Sequence, residues 1–168
     1  MRNQILAPLA AGVLLAFAGA AQAASKTASF TVSASVGKNC VISAANLALG
    51  EFVGDNNLTA QSDITVRCTA GTAFTVALNS GGTGSFAGRR MVGPGGDFLV
   101  YNLYTNNTYA AVWGDATAGT SVVADVGEGM AVGNAIDLPV FGRLLAADNS
   151  GPVTNGNYSD IIVATITY

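Results

Sequence analysis

The stretch Ala28–Cys40, "ASFTVSASVGKNC", alternates apolar and polar side chains. Phe30, Val32, Ala34 and Val36 fall on one side, and Thr31, Ser33 and Ser35 on the other. A period of two is the signature of a β-strand with one buried face. The same period recurs in "SDITVRC" (62–68), "AFTVALN" (73–79), "DFLVYNLYT" (97–105) and "YSDIIVATITY" (158–168). Yet the 28–40 segment comes close behind an N-terminal leader, where chains usually fray. A half-apolar strand on a free end poses the question of what it pairs with.

The leader is residues 1–24, which read as a secretory signal peptide. Arg2 supplies the positive start, "ILAPLAAGVLLAFAGAA" an apolar stretch rich in small residues, and "AQA" (21–23) a small-x-small cleavage site, with "QAA" one residue on as the alternative. The mature chain then starts at Ala24 or Ser25 and holds roughly 144 residues, enough for one domain with a sizeable core.

Composition narrows the class. Charged residues make up 10% of the chain and histidine is absent. Without Arg2, six basic and ten acidic side chains remain, a net charge of −4. A weakly acidic chain with no basic run argues against nucleic acid and anionic membranes as partners. Glycine is abundant, small and β-branched residues are frequent, and no window holds an amphipathic helix, so the chain reads as all-β.

Further short strands are expected at "NCVIS" (39–43), "LALGEF" (47–52), "TSVVADVG" (120–127) and "AIDLPVFGRLL" (135–145). "NN" (106–107) reads as a tight turn joining 97–105 to "TYAAVWGD" (108–115) in a hairpin. Pro139 should lie at a sheet edge or bulge, because it has no N–H for a ladder bond. Strands at this spacing point to a β-sandwich, with no second domain and no repeat. The final segment places Ile162, Ala164, Ile166 and Tyr168 on one face, so strands stand at both ends of the mature sequence. An apolar edge strand left open is an aggregation hazard.

Cys40 and Cys68 allow a single pairing, and in an exported chain an even count reads as a disulfide. It would close a loop of about 29 residues, worth about 3–4 kcal/mol on the chain-entropy model. Catalytic chemistry finds little to use. A serine nucleophile has no histidine as its base, and a zinc site built on histidine and cysteine has no ligands left once the cysteines pair. Asp125 and Glu128 read as a solvated turn, and "GPGGDF" as a loop with no helix after it to bind phosphate. Arg89 and Arg90 should point to opposite faces of a strand as solvated edge charges. Trp113 and the tyrosines read as packing residues before a sugar platform. No enzyme, cofactor, metal or small-molecule substrate is expected.

The order of "TVSASVGKNCVI", "GEF", "ITVRC", "LVYNLYT", "LPVFGRL" and "GNYSDIIVATITY" resembles the spore coat U domain family, and within it the major subunits of archaic (Csu-type) chaperone–usher pili. The likeness covers essentially the whole mature chain. It implies an immunoglobulin-like sandwich, residues 38–168, that lacks its last strand. It implies an N-terminal donor-strand extension, residues 25–37, whose Phe30, Val32, Ala34 and Val36 enter a groove on a neighbouring subunit. The groove would lie along Ile162, Ala164, Ile166 and Tyr168. The implied partners are identical or related pilin subunits, a periplasmic chaperone that first fills the groove, and an outer-membrane usher where the next subunit replaces it. The implied product is an extracellular fimbria for attachment and biofilm formation. The alternatives are a secreted spore or cell-surface coat protein of the same fold, and a single-domain carbohydrate-binding adhesin using the tyrosine-rich hairpin.

Overall fold

The computed structural model describes residues 22–83 and 85–168. The signal-peptide reading therefore falls, for residues 1–21, outside the described residues. The chain divides between Ser35 and Val36 into two units. In the first, residues 22–35 are exposed and belong to no β-ladder. The alternation at 30–36 is thus present without a strand, which differs from the expectation for this stretch. A ladder needs a second backbone, and side-chain period alone does not supply one.

The second unit, Val36–Tyr168, is all-β. Its strands are β1 (Cys40–Ala44), β2 (Leu58–Cys68), β3 (Ala73–Leu78), β4 (Arg89–Val92), β5 (Phe98–Tyr104), β6 (Val123–Val126), β7 (Ile136–Leu144) and β8 (Ala164–Thr167). Five form one antiparallel sheet in the order β1-β2-β7-β5-β4, and three form a second in the order β6-β3-β8. The two sheets pack as a sandwich because each buries the apolar face that the period of two provides. Ile64 and Val66 of β2, Phe74, Val76 and Leu78 of β3, Leu99 and Leu103 of β5, and Leu138, Val140 and Leu144 of β7 make the core. Trp113 is fully buried among them, and its indole N–H donates to the carbonyl of Val76 at 2.9 Å.

Pro139 lies opposite Asp63 in β7, an interior strand of its sheet. Pairing of β7 with β5 involves only Phe141 to Arg143, so at Pro139 the flank towards β5 has no ladder, and the missing N–H leaves no gap in one. The expected edge is therefore local. Residues 47–52 are not a strand; they form no ladder, although Leu47 and Leu49 still pack against the core. The expected hairpin after β5 shrinks to one bridge, Tyr104 with Val112, flanked by the bonds Thr105 N–H to Ala111 O and Trp113 N–H to Leu103 O. Its loop is wider than two residues. Asn106 Oδ1 accepts from the Thr108 backbone and hydroxyl, and Tyr109 takes a φ of 56°. The final segment is in a ladder with β3 only over Ala164–Thr167.

Candidate functional site

β8 pairs with β3 on one flank and, among the described residues, has no strand on the other. β1 is likewise the outer strand of its sheet. Between these two margins lies a cleft of about 610 Å³. One wall is Leu47 and Leu49, from the segment after β1; the other is Ile162 and Ala164, from the segment leading into β8. The floor is the core itself: Ile64, Leu78, Leu103 and Val140.

The walls are fastened. Gly142 of β7 lies under Leu47 and Leu49, and a β-carbon there would come within 2.8 Å of Leu47 Cδ2. Only glycine lets the two leucines sit that close to the sheet. On the other side, Asp160 accepts from the backbone of Gly82 and of Ile161, both at 2.8 Å, and from the Tyr101 hydroxyl at 2.8 Å. Burial, with the Asp160 hydrogen bond next in weight, pushes the Tyr101 phenol well above its ordinary value. Gly81, at φ 75°, lies so close to this carboxylate that a β-carbon could not be accommodated.

Arg89 is 0% exposed, a correction to its reading as a solvated edge charge; Arg90, on the opposite face, is exposed over the Phe98 ring at 4.0 Å. The Arg89 guanidinium donates to Asn79 O at 2.9 and 3.2 Å, to Trp113 O at 2.6 Å and to Asn102 Oδ1 at 2.6 Å. Burial holds its pKa below the usual arginine value, opposed by the nearby Tyr101 and Asp160. These acceptors make a buried cation tolerable where water cannot reach.

Of the four residues expected to form the groove wall, the structure brings Ile162 and Ala164 to the cleft. Ile166 packs against the core without lining it. Tyr168 lines a separate, shallower depression of about 570 Å³ with Phe74 and Val126. Phe30, Val32 and Val36 are 87%, 83% and 86% exposed, and Ala34 is exposed as well. Cys40 and Cys68 lie directly opposite each other on β1 and β2 and are joined as a disulfide. Tyr104, Tyr109 and Arg143 stack together on the sandwich, with Arg143 4.6 Å from the Tyr109 ring centre. Sequence reasoning missed Tyr101 and Asp160 as parts of the cleft; no local pattern marks them.

A model of the spore coat protein U domain matches residues 26–165. Protein U of Myxococcus xanthus is 30% identical over 191 aligned positions, which cover 100% of this chain and 98% of that protein. Among solved structures, a chain from a chaperone–tip adhesion subunit pre-assembly complex of archaic chaperone–usher Csu pili, from Acinetobacter baumannii, is similar with a TM-score of 0.54 at 20% identity. The similarity covers 78% of this chain and 40% of that one, and it speaks to the fold, an immunoglobulin-like sandwich. Fold and sequence agree, and the chain belongs to the spore coat protein U family.

Proposed function

We propose that this chain is a structural, non-catalytic subunit of an extracellular fimbria, and that it polymerises by strand donation. The observation that carries the reading is the apolar cleft beside β8, together with an alternating segment of the same chain that belongs to no ladder. The cleft asks for an extended backbone that carries an apolar side chain at every second residue. Phe30, Val32, Ala34 and Val36 offer that pattern, spaced about 6.7 Å apart. β-augmentation supplies the affinity through main-chain bonds and the specificity through pockets for alternate side chains.

On this reading residues 1–24 are removed on export, residues 25–37 are the donor extension and residues 38–168 the acceptor domain. A periplasmic chaperone occupies the cleft until an outer-membrane usher brings the next subunit. The similarity to a chain of a chaperone–subunit pre-assembly complex supports the chaperone as partner. The fibre would stand on the cell surface and serve attachment and biofilm growth.

The test is electrophoretic. The mature chain should run as a ladder of SDS-resistant multimers that collapses to monomer on boiling, and deletion of residues 28–36 should abolish the ladder. A monomeric wild type, or a ladder that survives the deletion, overturns the proposal. A second reading, assembly into a surface coat, is favoured by the family description and by the full-length likeness to Protein U. Electron microscopy separates the two, since a coat gives layers and a fimbria gives single filaments.

A further inference from the structure

Leu78 faces Ala164 in the β3–β8 ladder, and the next pair outward is Asn79 with Val163. In an antiparallel ladder such a pair exchanges two backbone bonds. Only one is made here: Asn79 N–H donates to Val163 O at 3.0 Å. The other would run from Val163 N–H to Asn79 O. That carbonyl instead accepts twice from the buried Arg89 guanidinium. The Val163 N–H donates to the Asn79 side chain, at Oδ1, 2.9 Å away. The side chain thus stands where the backbone carbonyl would be.

From these contacts we infer that Asn79 is a positioning residue for the cleft. Arg89 draws the Asn79 carbonyl out of the ladder and ends the regular pairing at Ala164. The Asn79 amide then restores the lost rung and holds Val163 in place. Val163 lies between Ile162 and Ala164, the two side chains of this wall, so the bond fixes both at once. Asparagine suits the position because its carbonyl oxygen reaches one peptide unit past its own backbone, and here it also accepts from Gly81 N–H at 3.3 Å.

The inference rests on the cleft as the acceptor site, and its test reads the bond separately from that role. Hydrogen exchange is followed at the Val163 amide in the full chain and in Asn79→Ala and Asn79→Asp variants. Asn79→Ala should speed exchange at Val163 by roughly fivefold to tenfold, the loss of one hydrogen bond, and leave Val66 and Leu138 in the other sheet unchanged. Asn79→Asp keeps an acceptor and should retain most of the protection. Equal exchange at Val163 in wild type and Asn79→Ala overturns the inference, as does a rise of the same size at Val66 and Leu138. In parallel, a synthetic peptide of residues 28–36 is titrated against each variant. Weaker binding to Asn79→Ala than to Asn79→Asp supports the positioning role. Failure of the peptide to bind wild type counts against strand donation and leaves the exchange result to decide the Asn79 assignment.

Discussion

If residues 30–36 dock as a strand, their two faces are not equivalent, and one charge moved by one residue exposes the difference. Val32 is 83% exposed, so nearly its whole side chain is available for burial on docking. Burying a valine side chain is worth about 2 kcal/mol. Val32→Asp forfeits that and brings a carboxyl to an apolar pocket. Entering as the neutral acid at pH 7 requires a proton on a group of ordinary pKa about 3.9, which costs about 4 kcal/mol. The total, about 6 kcal/mol, is on the order of 10⁴ in affinity. Ser33→Asp puts the same charge on the wet face with the same backbone bonds, and should change binding less than about threefold. The two variants also differ in their response to acid. Docking raises the pKa of a carboxyl at position 32, so its penalty shrinks as pH falls; at pH 5 protonation costs only about 1.5 kcal/mol. The assay is competition by synthetic 28–36 peptides against assembly of the full chain, at pH 7 and pH 5. Equal potency of the two variants, a worse defect for Ser33→Asp, or a Val32→Asp defect unchanged at pH 5 refutes the docking register.

Three further outcomes follow from the acceptor domain. Ile162→Asp, in the cleft wall, should abolish assembly, whereas Ile161→Asp, on the exposed face of the same segment, should leave fibre yield within about twofold of wild type; a fibre count by electron microscopy checks both. Cys68→Ser opens a bridge of sequence separation 28 and should lower stability by about 3.5 kcal/mol, read as a shift in denaturant midpoint at constant slope. Tyr101→Phe removes the bond to Asp160 at a cost of about 1–2 kcal/mol at neutral pH, measured by denaturant melts. The folded phenol has a raised pKa, so its contribution is fully present below about pH 10, the unfolded value, and fades as pH rises above it. The difference between wild type and Tyr101→Phe should therefore narrow above pH 10.

The strands β3, β5 and β7, and β2 over 62–68, were legible because each needs only a buried face, and the sequence carries that face residue by residue. Residues 47–52 show the limit. Leu47 and Leu49 alternate as a strand would, and they do face the core, but facing says nothing about a hydrogen-bonded partner. The segment 158–168 reads as one strand for the same reason; on the inference drawn above, its ladder stops at Ala164 because of what Arg89 does to the carbonyl just past the end of β3. Arg89 itself was misread because its neighbour Arg90 is an ordinary surface charge and the pair looks symmetrical in sequence. Its three acceptors come from the residue after β3, from β5 and from the Trp113 loop, and only folding brings them together. The cleft was legible in outline through Ile162 and Ala164. Its other wall depends on Gly142, whose lack of a side chain is a signal only once Leu47 and Leu49 are known to lie above it.

A chain with an open cleft and a matching segment could in principle fill its own cleft. The root of the extension bears on that alternative. Asn39 lies opposite Thr69, one step beyond the Cys40–Cys68 pair, and continues the line of β1. Thr69 N–H donates to Asn39 O at 2.9 Å, and Asn39 N–H donates to the Thr69 hydroxyl at 3.1 Å. The same hydroxyl reaches Gly37 O at 3.3 Å. A reversal within residues 37–39, folding back along β1 towards the cleft at its Ala44 end, would give up those bonds, roughly 1 kcal/mol each. Insertion into a second copy leaves them intact. Under the proposed function, then, the Thr69 contacts bias the extension towards a neighbour. A contact in which one copy gives a strand and the next receives it is heterologous, so its repetition extends a filament and does not close on a pair.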